Sequence, residues 1–502
     1  MGSRWRSAPA PSRHRRRRGH RFTALETAPS RALLRTVNRC PSTTPNRSTT
    51  AIVSSPGRHA TPSARYARRR LRFAGPARGV QSVETVPSSV RRFLPGVAWV
   101  VLAAAGAAEQ PGANDWPNWR GPTHDGQAHA QQTVPLVWGD AENVLWSVDV
   151  PGRGNGSPTV IGDRVFLATC DESEGSQSVL AFDRSSGKPV WQRQVHASGA
   201  MRKNEKSTGA SATVTSDGER LFITFPNSDA VFATALELDG TILWQTRVCD
   251  YAIHQGYGAS PLVYGGRVFV IADHRDKGRI AALDPLSGKM LWEKERPPAP
   301  NYSSPVVWKL FGKEQLILTG CDKVVALDPA SGDTLWEKEG ATTECVTTTV
   351  TDGERVYSSG GYPKNHIAAY RADGSGTIDW ENGERVYVPS LLYSRGGLYA
   401  ILDAGIAVCW DAATGKEKWK QRLGGNFSAS PVMLGETIFA TSETGQTHVF
   451  QATPEGFRSV GVNRLGDEAF ASPAICGNRI YFRVAVTSGE RRQEKLVCVG
   501  TR

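Results

Sequence analysis

The chain has 502 residues, enough for two or three ordinary domains, and a formal charge of +12. Residues 1–110 hold 21 Arg, no Lys, no Asp and three Glu, giving 21 − 3 = +18, so the remainder carries 12 − 18 = −6. A mildly acidic globular part lacks the broad basic face on which nucleic-acid binding rests, and no nucleic-acid partner is expected.

Residues 1–90 are rich in Arg, Ser, Pro and Ala and show no sustained hydrophobic period. Such a segment buries too little apolar surface to offset its ordering entropy, and disorder is expected. Arg13 and Arg15 to Arg18 would suit a polyanion. The alternative is that the stretch lies outside the working protein, with translation starting near Val86 or Val90 from a non-ATG codon. Residues 91–108 favour that alternative. Arg91 and Arg92 precede an apolar run ending in Ala105, Gly106, Ala107 and Ala108, the pattern of a secretory signal peptide. The run contains Pro95 and is shorter than a membrane span, so export without a remaining transmembrane segment is expected, to the periplasm or beyond. Residues 109–142 read as an arm. Its stretch from Asp115 to Pro122 is proline-kinked and aromatic, expected to pack on the side or mouth of the repeat domain, with a ligand role open to Trp116 and Trp119.

From residue 143 the chain repeats. Ala282, Asp284, Gly288 and Trp292 mark a hairpin of spacing Ala-x-Asp-x-x-x-Gly-x-x-x-Trp, with turn chemistry at Asp284, Pro285, Ser287 and Gly288. The spacing recurs at Ala181/Asp183/Gly187/Trp191 and Ala326/Asp328/Gly332/Trp336, and with cysteine first at Cys409/Asp411/Gly415/Trp419. Looser copies end at Trp244 (Ala235, Gly240) and Trp380 (Ala369, Gly376). Ser-Pro pairs at Ser157, Ser260, Ser304, Ser430 and Ser472 open apolar strands, each leading into a tight turn and a second strand. Four strands per unit at a period of about 40–50 residues is a β-propeller signature. Eight opening strands are counted. The last unit lacks a fourth strand, and residues 143–150, carrying Trp146, are spare at the start. The prediction is therefore an all-β, eight-bladed propeller over residues 143–502, closed by pairing the N-terminal strand with the C-terminal blade. Seven blades is the alternative if one degenerate unit is misread.

This repeat resembles the tryptophan-docking motif of quinoprotein (PQQ) dehydrogenase propellers, and is similar to that of the propeller lipoprotein of the outer-membrane β-barrel assembly machinery. The stretch from Asp115 to Pro122 resembles the opening of many exported bacterial PQQ-like repeat proteins. The resemblance implies tryptophans packed between neighbouring blades. For the enzymes of the family it also implies a Ca²⁺ held by acidic and amide side chains, a nearby aspartate base and, in many, a vicinal Cys-Cys disulfide. No Cys-Cys pair occurs here. Acidic or amide residues do not cluster in a calcium pattern, and the histidines have no zinc-like spacing, so no metal site and no catalytic residue are assigned.

Stretches just before the opening strands are expected to line the channel mouth. The candidate ligand-contacting residues are Arg153, Asn155, His254, Tyr257, Tyr302, Glu344, Tyr387, Phe427 and Phe470, with Lys206, Asn301 and Glu468 nearby in sequence. Aromatics and amides of this kind suit a flat ligand or a sugar; the bland alternative is that they plug the ring's narrowing centre. Seven cysteines lie after residue 110, an odd number that leaves at least one thiol unpaired. The reading is an exported, monomeric, non-catalytic propeller without cofactor, a binding or scaffolding platform for protein partners in the cell envelope. The alternatives are a PQQ- and Ca²⁺-dependent dehydrogenase with a degenerate site, and a carbohydrate-binding propeller.

Overall fold

The computed structural model describes residues 112, 114–139, 142–202 and 204–502. The expected Arg-rich segment, start site and signal peptide lie outside the described residues. Among those described there is no helix, and none long and apolar enough to cross a membrane. Eight four-stranded antiparallel sheets succeed one another, seven of them built from four consecutive strands. The eighth joins Ala474–Cys476, Arg479–Ser488 and Arg491–Gly500 to the N-terminal strand Val144–Val150, which pairs antiparallel with Arg491–Gly500. Opening strands of several neighbouring blades touch, and Thr159–Ile161 of the first meets Ala474–Cys476 of the eighth, so the ring is closed. The eight-bladed count and the clasp are as expected. The described cysteines are free.

Burial tracks position in the blade. Opening strands such as Thr159–Ile161 are buried throughout, whereas fourth strands such as Pro189–His196 and Glu417–Arg422 are mostly exposed. The opening strands are also short, two to five residues. Proline has no N–H to give to a ladder, so each Ser-Pro pair sits just ahead of its strand.

The repeated hairpin is explained by what meets it. Asp284 Oδ1 accepts from the Ser287 N–H at 2.8 Å and the Ser287 hydroxyl at 2.7 Å, closing the turn locally. Gly288 holds φ +68°, and a Cβ there would fall 2.6 Å from Trp244 of the preceding blade. The glycine thus supplies both the left-handed backbone and the flat seat on which the neighbour's indole lies. The indole N–H of Trp244 donates to Pro285 O at 2.9 Å, in the same turn. Trp191, Trp292, Trp380 and Trp419 dock on the next blade's turn in the same way. Trp146 does so from the N-terminal strand onto the first blade, donating to Arg184 O, so the clasp also supplies the missing indole. At Trp336 the next turn is one residue longer (Ala369 to Gly376), and the buried Gln315 bridges the gap. It accepts from the indole at 2.7 Å and donates to Ala372 O at 2.8 Å.

Candidate functional site

Where the opening strands begin, hydroxyls form a girdle around the axis. The backbone N–H of Ser157, Thr213, Ser260, Thr348, Ser390 and Ser430 each donates to the hydroxyl of Thr213, Ser260, Ser304, Ser390, Ser430 and Ser472 in turn, at 2.8–3.0 Å. These side chains stitch neighbouring blades at the narrowest radius, which is why serine or threonine stands at the position in repeat after repeat.

The N-terminal arm crosses one end of this channel. Trp116 bridges to Val160 of the first blade, and Pro117 O accepts from Ser216 of the second. Arg120 is buried and donates to Pro431 O at 2.8 Å and Leu391 O at 2.6 Å, two blades on the opposite side. Burial lowers its pKa to about 10. Trp119 donates to Thr348 Oγ1 at 2.8 Å. The arm is therefore a floor, stretched over the end opposite the long inter-blade loops.

Above the floor is a cavity of about 760 Å³. Of the residues singled out from sequence, Asn155, His254, Tyr257, Tyr302, Glu344, Tyr387, Phe427 and Phe470 lie on its wall. Tyr257 contributes little surface, because it is buried with its hydroxyl given to Ile271 O. Arg153 is corrected: it turns away to Glu172 (3.4 Å) and Glu205 O (3.0 Å). Asn301 is spent on the buried Asp273–Arg296 pair and Glu468 on Arg492. Trp119 lines the cavity, whereas Trp116 is packed in the core beneath Gly121. Sequence reading missed Asn204, Arg385, Asp403 and Glu443 on the wall, whereas Asn426 falls within the expected channel-lining stretch 425–427. Asp403 and Glu443 occupy turns between the second and third strands of successive blades, a register that could have marked them.

Glu344 is the best-buried acid on the wall. The Tyr387 hydroxyl donates to its Oε2 at 3.1 Å, and His254 Nδ1 lies 3.4 Å from Oε1 and 3.1 Å from the Tyr302 hydroxyl. Arg275 contacts His254 Nε2. A guanidinium only donates, so Nε2 accepts and Nδ1 carries the proton. Both ring nitrogens are thereby committed to protein groups. Burial, then the Glu344 charge, pushes both tyrosine hydroxyls well above their ordinary range, so both stay protonated; Tyr387 donates to Glu344, and the Tyr302 oxygen accepts from His254 Nδ1. Asp403 accepts from the Tyr387 N–H at 2.8 Å, and burial raises its pKa. Across the mouth, Lys206 of the second blade meets Glu443 of the seventh at 2.8 Å, and Ser428 donates to the same carboxylate at 2.6 Å. Among the described residues no three His, Cys, Asp or Glu side chains converge as a metal site requires.

The family model described as outer membrane protein assembly factor BamB matches residues 136–231, 175–392 and 364–454. The outer membrane protein assembly factor BamB of Bordetella pertussis is 25% identical over 352 residues, covering 67% of this chain and 82% of that one. A polyvinylalcohol dehydrogenase of Pseudomonas sp is 28% identical over 176 residues; the match covers 31% of this chain and spans about a quarter (26%) of the dehydrogenase. In fold, BamB from Moraxella catarrhalis superposes with a TM-score of 0.53 at 15% identity, covering 72% of this chain and 97% of that one. Quinohemoprotein alcohol dehydrogenase from Comamonas testosteroni does so with 0.58 at 13%, covering 79% and 82%. With its docked indoles, its clasp and a family match running from residue 136 to 454, this chain belongs to the PQQ-like propeller family described as outer membrane protein assembly factor BamB.

Proposed function

We propose that this protein is an exported, non-catalytic propeller that serves as a protein-binding platform in the cell envelope, presenting the loops around its open mouth to a partner. One observation carries this reading: the mouth's carboxylates and its histidine are engaged by protein groups. Glu344 is held by Tyr387 and His254, Glu443 by Lys206 and Ser428, and His254 by Arg275 and Tyr302. A Ca²⁺-bound quinone needs several converging oxygen ligands, and among the described residues no three acidic or histidine side chains converge in that way, so no step through calcium or quinone is derived. Similarity adds weight, because the match with the Bordetella assembly factor runs through 82% of that protein and the match with the dehydrogenase through 26%.

Two measurements test it. PQQ with Ca²⁺, titrated into the purified protein, is expected to give no saturable change in quinone absorbance; saturable binding with dye-coupled alcohol oxidation would sink the reading. A photo-crosslinker at the exposed Tyr362, on the mouth, is expected to trap a discrete envelope protein. The same probe at the exposed Leu286, in a turn at the other end of the blades, is expected to trap none.

A further inference from the structure

We propose that the floored cavity is a binding site for a neutral saccharide. This stands apart from the partner reading, which concerns the loops above the cup and not its interior.

Shape comes first. The arm closes one end, and a blind cup of about 760 Å³ falls within the range of roughly 300–1,000 Å³ typical of small-molecule sites. Trp119 lies at the bottom with its one polar atom already given to Thr348, so what it offers a ligand is apolar ring. Tyr302 and Tyr387 stand on the wall. Aromatic faces of this kind pack against the C–H face of a pyranose ring.

Charge comes next. The cationic side chains on the wall are Lys206 and Arg385 and the acidic ones Glu344, Asp403 and Glu443, giving 2 − 3 = −1. Lys206 is already neutralised by Glu443. A cup of that balance repels a polyanion, including an acidic quinone or a nucleotide, and accepts an uncharged ligand.

The unspent polar groups complete the match. Arg385 lies over the Tyr387 ring, 5.4 Å from its centroid, and its guanidinium donates to no protein group among the described residues. The side-chain amide of Asn426 is likewise without a hydrogen bond to them. Guanidinium and amide are planar groups with paired donors or a donor and an acceptor, suited to two vicinal hydroxyls. Both residues are exposed, so their removal leaves the fold intact.

The test is isothermal titration of the full chain with maltotriose, cellotriose and chitotriose, and with trigalacturonate as the charged comparison. At least one neutral trisaccharide is expected to bind saturably, and trigalacturonate is expected not to. The Arg385→Ala/Asn426→Ala double variant is expected to keep the wild-type melting temperature and lose affinity tenfold or more. Trp119→Leu, with the arm still anchored by Arg120, is expected to lose affinity as well. The proposal is overturned if no neutral trisaccharide binds, if trigalacturonate binds as tightly, or if the double variant binds as the wild type does.

Discussion

Beside the clasp, a buried ion pair ties the eighth blade to the first, and Glu494→Gln tests its contribution. Arg483 and Glu494 sit on paired strands of the eighth blade, each about 2% exposed in its side chain, with Nε 2.6 Å from Oε2. The pair reaches into the first blade: Arg483 Nη1 donates to Ala168 O at 2.7 Å, and Glu494 Oε1 accepts from Gly154 N at 3.2 Å. Glutamine keeps the size and removes the charge, stranding the Arg483 guanidinium out of water and loosening the part-exposed Arg492, which donates to Glu494 Oε1 at 3.0 Å and keeps Glu468 as a partner. Breaking a buried pair on one side costs about 3–5 kcal/mol. Unfolding entropy of about 2.1 cal/mol/K per residue, over the propeller's roughly 360 residues, converts that to a fall in Tm of about 4–7 °C. Lys495→Ala is the control. Its partner Asp149 is exposed on the same clasp, so the loss should stay within about 1 kcal/mol and about 1 °C. The double change Arg483→Met/Glu494→Leu, which removes both charges, should recover much of the loss. Calorimetry decides it: equal melting temperatures for Glu494→Gln and Lys495→Ala would refute the argument.

Three further outcomes are expected. Gly288→Ala forces a Cβ to 2.6 Å from Trp244 at φ +68°, and should cost about 2 kcal/mol or more with a red-shifted tryptophan emission; unchanged denaturant midpoints would contradict it. Gln315→Ala strands the Trp336 indole N–H and the Ala372 carbonyl, at about 1–3 kcal/mol for each group, whereas the exposed Gln421→Ala should cost next to nothing in the same urea titration. His124, in the arm, has its pKa lowered by burial from 6.5 to about 4. Between those values the unfolded chain binds a proton that the folded arm does not, so stability is full above pH 6.5 and falls as the pH drops towards 4. The loss is of order 3 kcal/mol at most. Melting temperature tracked against pH, with and without His124→Gln, isolates it: an identical slope in the variant would count against the arm as its source.

Much of the fold is legible within a single repeat. Asp284 closes its own turn, Gly288 supplies the left-handed backbone, and Trp292 sits eight residues after Asp284, all within one hairpin. Repetition then dictated the ring, since no unit buries its faces alone, and the missing last strand with a spare first one dictated the clasp. The site was settled by the assembled ring. Glu344 meets Tyr387 across 43 residues and Lys206 meets Glu443 across 237, and such pairs depend on how blades are rotated about a common axis, which no local spacing encodes. The same reason explains Arg153, drawn to Glu172 and Glu205 O, and Trp119, whose place as a floor results from Arg120 reaching the carbonyls of two distant blades. Backbone geometry and turn chemistry act within a few residues and are written locally, whereas the convergence of side chains in the channel exists only once eight sheets have closed.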